Sequence, residues 1–172
     1  MTVADRIAEF LREKQIKHVF GIIGAGNCAL FDAIHRLGYT QIVCCHHEQA
    51  AAMASTYHNR ISGRVASVVL CTTGAGSTNA LTGVMAAWMD SIPLLVLSGN
   101  EGSKYMGAPT RVWGVQGYNS SGAVAGYTKW SSRAHIRTPI RSQLMISKAV
   151  AMSPRQGPCW LDIPKDVQGA MV

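Results

Sequence analysis

The sequence predicts an α/β fold, a doubly wound and mainly parallel sheet of about six strands with helices on both faces. Two observations support this fold class. Residues 65–71 and 94–97 are short, continuous apolar runs, which are typical of parallel strands buried on both faces. Segments with helical character alternate with such runs along the chain. Because 172 residues suit one substantial core, a single domain over residues 1–172 is expected.

The individual elements follow from apolar periodicity and from turn residues. Strands are predicted at residues 17–21, 41–45, 65–71, 94–97, 127–133 and 159–163. Helices are predicted at 3–15, 28–37 and 47–61, then after Asn79 as far as Met89, and finally from Thr138 to before Gly157. Gly38 is expected to be the C-cap of the second helix, and Thr138 the N-cap of the last one with Pro139 at its first position. The alanines of residues 50–54 are small enough for another helix to approach closely.

Two glycine-containing loops follow predicted strands. The first, residues 21–27, has the order G-x-x-G-x-G and lacks the later acid of a dinucleotide site, so that kind of site is rejected. The second, residues 72–79, joins a buried strand to a hydroxyl-rich helix start and is expected to bind an anion or a polar ligand, although it has no Walker lysine. Residues 99–126 are predicted to be a long loop with one short helix, and long ordered loops are often functional.

Composition narrows the classes of function. Apolar residues make up 48% of the chain and charged residues only 15%, which suggests a surface partly covered by a partner. The formal charge is +7, and residues 102–161 hold eight Lys or Arg and no acid. A basic nucleic-acid-binding domain is one alternative, but no basic cluster with interleaved aromatics supports it, and a face that attracts phosphate or an acidic partner is favoured. No nucleic acid is therefore expected among the partners.

The sequence also indicates a compartment. No apolar run reaches the roughly 18 residues that span a bilayer, and the charged N-terminal helix is unlike a signal peptide, so no membrane contact is expected. The five cysteines form no C-x-x-C pair and no zinc-type spacing. They are interpreted as buried thiols in a reducing compartment, which predicts a cytoplasmic protein.

Glu48 stands at the junction of a predicted strand and the helix that follows it. Ligand sites of α/β folds lie beyond the carboxyl ends of strands, and a helix N-terminus stabilises an ionised carboxylate. From this stretch alone, Glu48 has two interpretations: an acid that complements the helix dipole, or a ligand-binding or catalytic acid.

Four motifs in an unbroken order resemble one known family. They are His47-Glu48-Gln49, the run 73–79 (T-G-A-G-S-T-N), the run 90–93 (D-S-I-P), and Gly157-Pro158 followed by the run 162–168 (D-I-P-K-D-V-Q). Together they resemble the N-terminal pyrimidine-binding domain of thiamine-diphosphate enzymes of the acetolactate synthase type, over essentially the whole chain. The run 19–24 (V-F-G-I-I-G) is similar to the family's V-F-G-x-P-G, with Ile23 where proline is usual.

The resemblance implies a catalytic role for Glu48. In the family, the equivalent glutamate hydrogen-bonds a ring nitrogen of the cofactor's aminopyrimidine and promotes its imino tautomer, which takes the proton from the thiazolium carbon. The thiazolium then acts as the electron sink for a 2-keto acid, which is decarboxylated or joined to a second carbonyl compound.

The resemblance assigns further site residues. Gln116 matches the glutamine of the family's F-Q-E. Gln116 and His47 are both expected to be catalytic residues. The expected cofactor-binding residues are Gly24, Ala25, Gly26, Glu48, Thr73, Gly74 and Asn79. Ordinary tight turns remain the alternative for the glycine runs, and packed strand-end residues remain the alternative for His46 and His47. Gly117 replaces the acid of F-Q-E, and residues 55–59 depart from the family's A-D-G-Y-A.

The resemblance also implies a partner. In the family, Mg²⁺ and the diphosphate are held by a separate domain with a G-D-G…N motif, and no Gly-Asp-Gly occurs here. The middle and Mg-diphosphate-binding domains are thus expected to be absent, and no metal ligand is expected in this chain. A split enzyme follows, in which thiamine diphosphate is shared with a second subunit that holds Mg²⁺, in a hetero-oligomer built on dimers. The alternative is a non-catalytic scaffold or regulatory subunit that keeps the fold.

Overall fold

Six strands form one sheet in the order β2-β1-β3-β4-β6-β5 in the computed structural model, which describes every residue from 1 to 172. All neighbouring strands are parallel. This confirms the predicted fold class. The strands are β1 (His18–Gly21), β2 (Gln41–Cys44), β3 (Ser67–Cys71), β4 (Leu94–Asn100), β5 (Trp130–Arg133) and β6 (Pro158–Pro164).

Helices cover both faces of this sheet, because alternate side chains of a strand point to opposite faces. The helices are α1 (Val3–Glu13), α2 (Cys28–Leu37), α3 (Glu48–Ser62), α4 (Ala75–Asn79), α5 (Leu81–Met89), α6 (Ser120–Ala123), α7 (Ile140–Met152) and α8 (Lys165–Gly169). In β4, Leu95 and Leu97 belong to a core with α1, α2 and α7, whereas Leu94 and Val96 belong to a second core with α3 and α5.

Small residues let α3 and α5 pack tightly against one another. A Cβ atom added to Gly83 would lie 2.5 Å from the Cβ of Ala52, so the two helices have no room for a larger side chain at this crossing. The expected close approach at the alanine-rich helix is confirmed. This packing holds the start of α3, where Glu48 lies, beside the start of α5.

Several predicted boundaries were wrong. Part of the expected 72–79 loop is helical: α4 begins at Ala75, and the backbone amides of Ser77 and Thr78 both donate to the Gly74 carbonyl. Pro139, not Thr138, is the N-cap of α7. The long connection lies later in the chain than predicted: β4 extends to Asn100, and β5 begins only at Trp130 because residues 125–127 form a 3₁₀ turn.

The cysteines depart in part from the sequence interpretation. All five are free thiols, but only Cys71 and Cys159 are buried, and Cys28 and Cys44 are exposed. Cys28 is the first residue of α2 and Cys44 ends β2, an edge strand of the sheet, so an apolar neighbourhood in sequence does not bury either thiol. No helix in the structure combines the length and the apolar character needed to cross a membrane.

Candidate functional site

The sheet has a switch point between β1 and β3, since the chain leaves β1 for β2 on one side and returns to β3 on the other. Loops that diverge at such a point leave a crevice at the carboxyl ends of the strands. The loops after β1 and β3 are in contact here: the Gly26 amide donates a hydrogen bond to Thr72 Oγ1 at 3.1 Å. A Cβ atom on Gly24 would lie 2.6 Å from the same Thr72 oxygen. The loops after β1 and β3 therefore pack so closely at this crevice that Gly24 has no room for a side chain.

Glu48 is the first residue of α3 and is only 6% exposed. One carboxylate oxygen, Oε2, accepts a hydrogen bond from Asn79 Nδ2 at 3.0 Å, and the other, Oε1, accepts none within the protein. A Cβ atom on Gly76 would lie 3.1 Å from Oε1, so the absence of a side chain there keeps space beside this oxygen. The site thus contains a largely buried carboxylate at a helix N-terminus, with one oxygen held and one free.

His47 fixes where α3 begins. It has extended backbone, and its Nδ1 accepts a hydrogen bond from the Gln49 amide at 3.1 Å, as an N-cap residue does. Both His46 and His47 are exposed, so the interpretation of packed strand-end residues was wrong. The expected catalytic role of His47 stays a prediction, and in the structure His47 is the N-cap that precedes Glu48.

The turn after β3 needs glycine at position 74. Gly74 has φ 64° and ψ −119°, a conformation that residues with a side chain rarely adopt. A Cβ atom there would also come within 2.7 Å of the Gln116 carbonyl oxygen. Gln116 Nε2 in turn donates to the Thr73 carbonyl at 2.9 Å. The structure therefore brings Gln116 against the Thr73–Gly74 turn, although 43 residues separate Gln116 from Thr73.

Thr73 presents a polar atom without a partner. The residue is 3% exposed, and its Oγ1 is buried and makes no hydrogen bond. A Cβ atom on Gly26 would collide with this oxygen, so the loop after β1 reaches Thr73 only because Gly26 has no side chain. Ala25, the residue between the two glycines, is exposed at the tip of that loop. The five residues Gly24, Ala25, Gly26, Thr73 and Gly74 thus lie on two adjacent turns.

Sequence reasoning missed the residues that hold the loop after β1. Asn27 Oδ1 accepts from the Gly24 amide at 2.8 Å, and its Nδ2 donates to the Ile22 carbonyl at 3.1 Å. Gln168 Nε2 donates to the Gly26 carbonyl at 2.7 Å from the far end of the chain. Both amide side chains are buried, and a buried polar side chain must find partners. The available signal was an Asn directly before a helix and a Gln inside the run 162–168.

A second buried acid, Glu101, was also missed. It directly follows the last residue of β4 and is almost fully buried. Its Oε2 forms an ion pair with Lys165 Nζ at 2.6 Å. A Cβ atom on Gly117 would lie 2.8 Å from Glu101 Cγ, and one on Gly114 would lie 2.8 Å from Glu101 Cδ. The Glu101 side chain therefore fills the space under the residues 113–117, where the resemblance leads one to expect an acid at position 117.

Burial shapes the electrostatics near the crevice. Burial raises the pKa of the Cys71 thiol to about 12, so this thiol at the end of β3 stays protonated and apolar in character. Burial also raises the pKa of Tyr118, against the effect of its hydrogen bond with Ser77. No three His, Cys, Asp or Glu side chains cluster closely enough to hold a metal ion.

This fold defines a parallel α/β domain in which two backbone turns and the buried Glu48 carboxylate meet at the carboxyl ends of the central strands. Residues 1–123 match the family described as the thiamine pyrophosphate enzyme, N-terminal TPP binding domain, and the chain belongs to that family. Thiamine pyrophosphate is the same compound as thiamine diphosphate, so the resemblance inferred from the motifs is confirmed.

Relatives of known name agree with this family. The chain is 34% identical over 163 residues to the acetolactate synthase large subunit of Haemophilus influenzae, an alignment that covers 95% of this chain and 28% of that protein. It is 35% identical over 164 residues to the acetolactate synthase isozyme 3 large subunit of Escherichia coli, with 95% and 28% covered. The chain thus spans little more than a quarter of the length of these relatives.

Proposed function

We propose that this chain is the pyrimidine-binding subunit of a split thiamine-diphosphate-dependent enzyme that acts on a 2-keto acid, by decarboxylation, by acyloin-type joining to a second carbonyl compound, or by both. The observation that carries the proposal is the buried Glu48 carboxylate, with Oε2 held by Asn79 and Oε1 free beside the glycine turns. The named relatives, which are acetolactate synthases, suggest the class of substrate.

The residues of the crevice fit an aminopyrimidine ring. A Cβ atom on Gly26 would meet Thr73 Oγ1 and one on Gly74 would meet the Gln116 carbonyl, so glycine at these positions lets the two turns and Gln116 come together. Glu48 Oε1 is able to hold a proton opposite a ring nitrogen, while Asn79 keeps the other oxygen in place. Thr73, Gln116 and Gly24 line the same two turns. When bound, thiamine diphosphate would supply a thiazolium that accepts electrons during decarboxylation.

A second subunit completes the proposed enzyme. It would hold the cofactor's diphosphate and Mg²⁺, which the family resemblance assigns to a separate domain. The outer faces of α3 and α5 offer a surface for it, with Tyr57, Ile61, Met85, Trp88 and Met89 all exposed. These residues lie between the middle and the C-terminal end of α3 and α5, whereas Glu48 is the first residue of α3, so a partner that reaches the crevice would extend along α3 from this surface. Exposed apolar surface of this extent is typical of protein–protein contact.

The proposed location is the cytoplasm. All five cysteines are free thiols, two of them exposed, and free exposed thiols persist in a reducing compartment.

Reconstitution tests the proposed function. The chain would be co-expressed with a polypeptide from the same genome that carries a G-D-G…N diphosphate motif, and the complex assayed with thiamine diphosphate, Mg²⁺ and a panel of 2-keto acids. We expect turnover, and a Glu48→Gln variant about 100-fold slower or worse, because the amide cannot exchange a proton with the ring. The matched control is Asp32→Asn, an exposed acid on α2. Equal turnover by Glu48→Gln and the control would refute the role of Glu48.

A non-catalytic scaffold is the second candidate. Two departures favour it: Ile23, which is exposed where the family has proline, and Gly117, which lacks the acid of F-Q-E. A complex that is active but indifferent to both Glu48→Gln and Thr73→Ala would support the scaffold over the catalytic subunit.

A further inference from the structure

Asp162 is the most deeply buried acid of the chain and has no part in the site described above. It lies in β6, is 0% exposed, and its Oδ2 accepts hydrogen bonds from Asn100 Nδ2 at 2.8 Å and from Arg133 Nε at 3.3 Å. Its other oxygen, Oδ1, and the buried Ser120 Oγ each lack a partner of ordinary hydrogen-bond geometry. A buried, incompletely satisfied carboxylate in the middle of a sheet is costly, which calls for a compensating role.

The two partners of Asp162 both reach the same loop. Asn100 Nδ2 also donates to the Tyr118 carbonyl at 3.0 Å. The Arg133 guanidinium lies over the ring of Trp113, 4.7 Å from its centroid, within the range of a cation–π contact. Trp113 and Tyr118 bound a short loop, residues 113–118, which the paired backbone hydrogen bonds between Trp113 and Gly117 close into a tight hairpin. Asp162 thus orients one anchor at each end of the 113–118 loop.

The 113–118 loop in turn rests on the turn that follows β3. Gln116 Nε2 bonds the Thr73 carbonyl at 2.9 Å, and the Tyr118 hydroxyl and Ser77 Oγ are hydrogen-bonded at 2.9 Å. Ser77 Oγ donates to the Gly74 carbonyl at 2.8 Å. A continuous set of short hydrogen bonds therefore links Asp162 to the Thr73–Gly74 turn, with the loop as the intermediate element.

We propose that Asp162 is a positioning residue whose carboxylate, through Asn100 and Arg133, holds the 113–118 loop and its Gln116 against the Thr73–Gly74 turn. The consequence for cofactor binding rests on the proposed function, whereas the effect on the loop does not. Ionised Asp162 attracts the Arg133 guanidinium; neutral Asp162 releases it, because Arg133 is partly exposed and water can solvate the freed cation. The 113–118 loop then loses the anchor at its Trp113 end and keeps the one at Tyr118.

This arrangement makes the loop sensitive to pH. Burial raises the pKa of Asp162 to about 6, against the opposing effects of Asn100, of the neighbouring Ser120 hydroxyl and of Arg133. The charged and titratable groups that face it are Arg133 from β5, the Cys71 thiol from β3 and the Tyr118 hydroxyl from the loop itself. Burial raises the pKa of Cys71 to about 12 and also raises that of Tyr118, so neither group changes charge where Asp162 does. A change in loop order near pH 6 would therefore report Asp162.

Residue-resolved amide exchange on the chain without cofactor tests the proposal, with Trp113 and Gly117 as reporters because their amides close the hairpin. Rates are divided by the intrinsic rate at each pH. In the wild type we expect protection to rise about tenfold as the pH passes upward through about 6. In Asp162→Asn we expect low protection at every pH. Asp166→Asn, which removes a charge outside this network and keeps an oxygen that can accept from Ser103, should behave as the wild type.

A second variant covers the case in which Asp162→Asn does not fold. Arg133→Gln removes the charge at the exposed end of the network and should flatten the pH profile of the same two amides while the rest of the spectrum is kept. Wild-type protection and an unchanged pH profile in Asp162→Asn, or in Arg133→Gln if only that variant folds, would overturn the proposal. Because the readout involves no cofactor, failure of the proposed enzyme function leaves this result interpretable.

Discussion

Asn79 donates a hydrogen bond from its Nδ2 to Oε2 of Glu48 across 3.0 Å. The two residues are 31 positions apart, at the end of α4 and the start of α3, and the contact exists because α3 packs against α4 and α5. It leaves Glu48 Oε1 as the free oxygen and fixes the direction in which that oxygen points. The orientation of the Glu48 carboxylate therefore depends on a residue from a different helix.

The first prediction concerns this pair. Asn79→Ala should lower the free energy of unfolding by about 2 kcal/mol at neutral pH, because a hydrogen bond to a largely buried charged group is lost. Urea denaturation measures the change. Thr78→Ala is the control, since Thr78 is exposed and its hydroxyl bonds only the Ala75 carbonyl within the same helix. Equal effects of the two substitutions would contradict the importance of the Asn79–Glu48 bond.

The second prediction concerns the turn after β3. Gly74→Ala should destabilise the protein by about 3 kcal/mol, from backbone strain at φ 64°, ψ −119° and from the contact with the Gln116 carbonyl. Gly38→Ala is the matched control: its φ is 68° but a Cβ there meets nothing within 4 Å, so a loss of about 1 kcal/mol is expected. Both values come from the same denaturation experiment, and a loss at Gly74 no larger than that at Gly38 would count against the close contact.

The third prediction is a pH dependence of stability. The folded state raises the pKa of Asp162 from 3.8 to about 6, so the folded protein binds a proton that the unfolded chain has lost over this interval. Stability therefore falls as the pH rises between about 4 and 6, by on the order of 3 kcal/mol. The free energy of unfolding is measured for the wild type and for Asp162→Asn. We expect the wild-type value minus the variant value to fall by this amount between about pH 4 and pH 6. A difference that is flat or rises with pH would show that burial does not disfavour the ionised form.

The fourth prediction concerns the apolar surface of α3 and α5. Ile61 and Met89 are 88% and 70% exposed, so Ile61→Glu combined with Met89→Glu should change the free energy of unfolding by less than about 1 kcal/mol. The same double variant should lose the proposed partner subunit, because two buried and unpaired carboxylates are costly in an interface. Co-elution in size-exclusion chromatography measures this. Ile136→Glu, exposed on the other face of the sheet before α7, is the control, and undiminished binding by the double variant would exclude this surface.

Much of the fold could be predicted because local patterns agree with the tertiary structure. Residues 65–71 and 94–97 are apolar on both faces, so a parallel sheet covered by helices was the consistent solution. Boundaries were less predictable. The 75–79 segment has the glycine and hydroxyl residues that are typical of a loop, but the backbone amides of Ser77 and Thr78 both donate to the Gly74 carbonyl and form a short helix.

The sequence by itself determined the fold class, the family and the candidate role of Glu48, because motifs in a fixed order identify an α/β topology and its strand-end loops. Only the tertiary structure decided which residues hold that carboxylate and the loops beside it. Asn79, Gln168, Glu101 and Asp162 act through contacts across 31 to 142 positions of sequence, and the partners of a buried polar group are set by which elements pack together rather than by its neighbours in the chain.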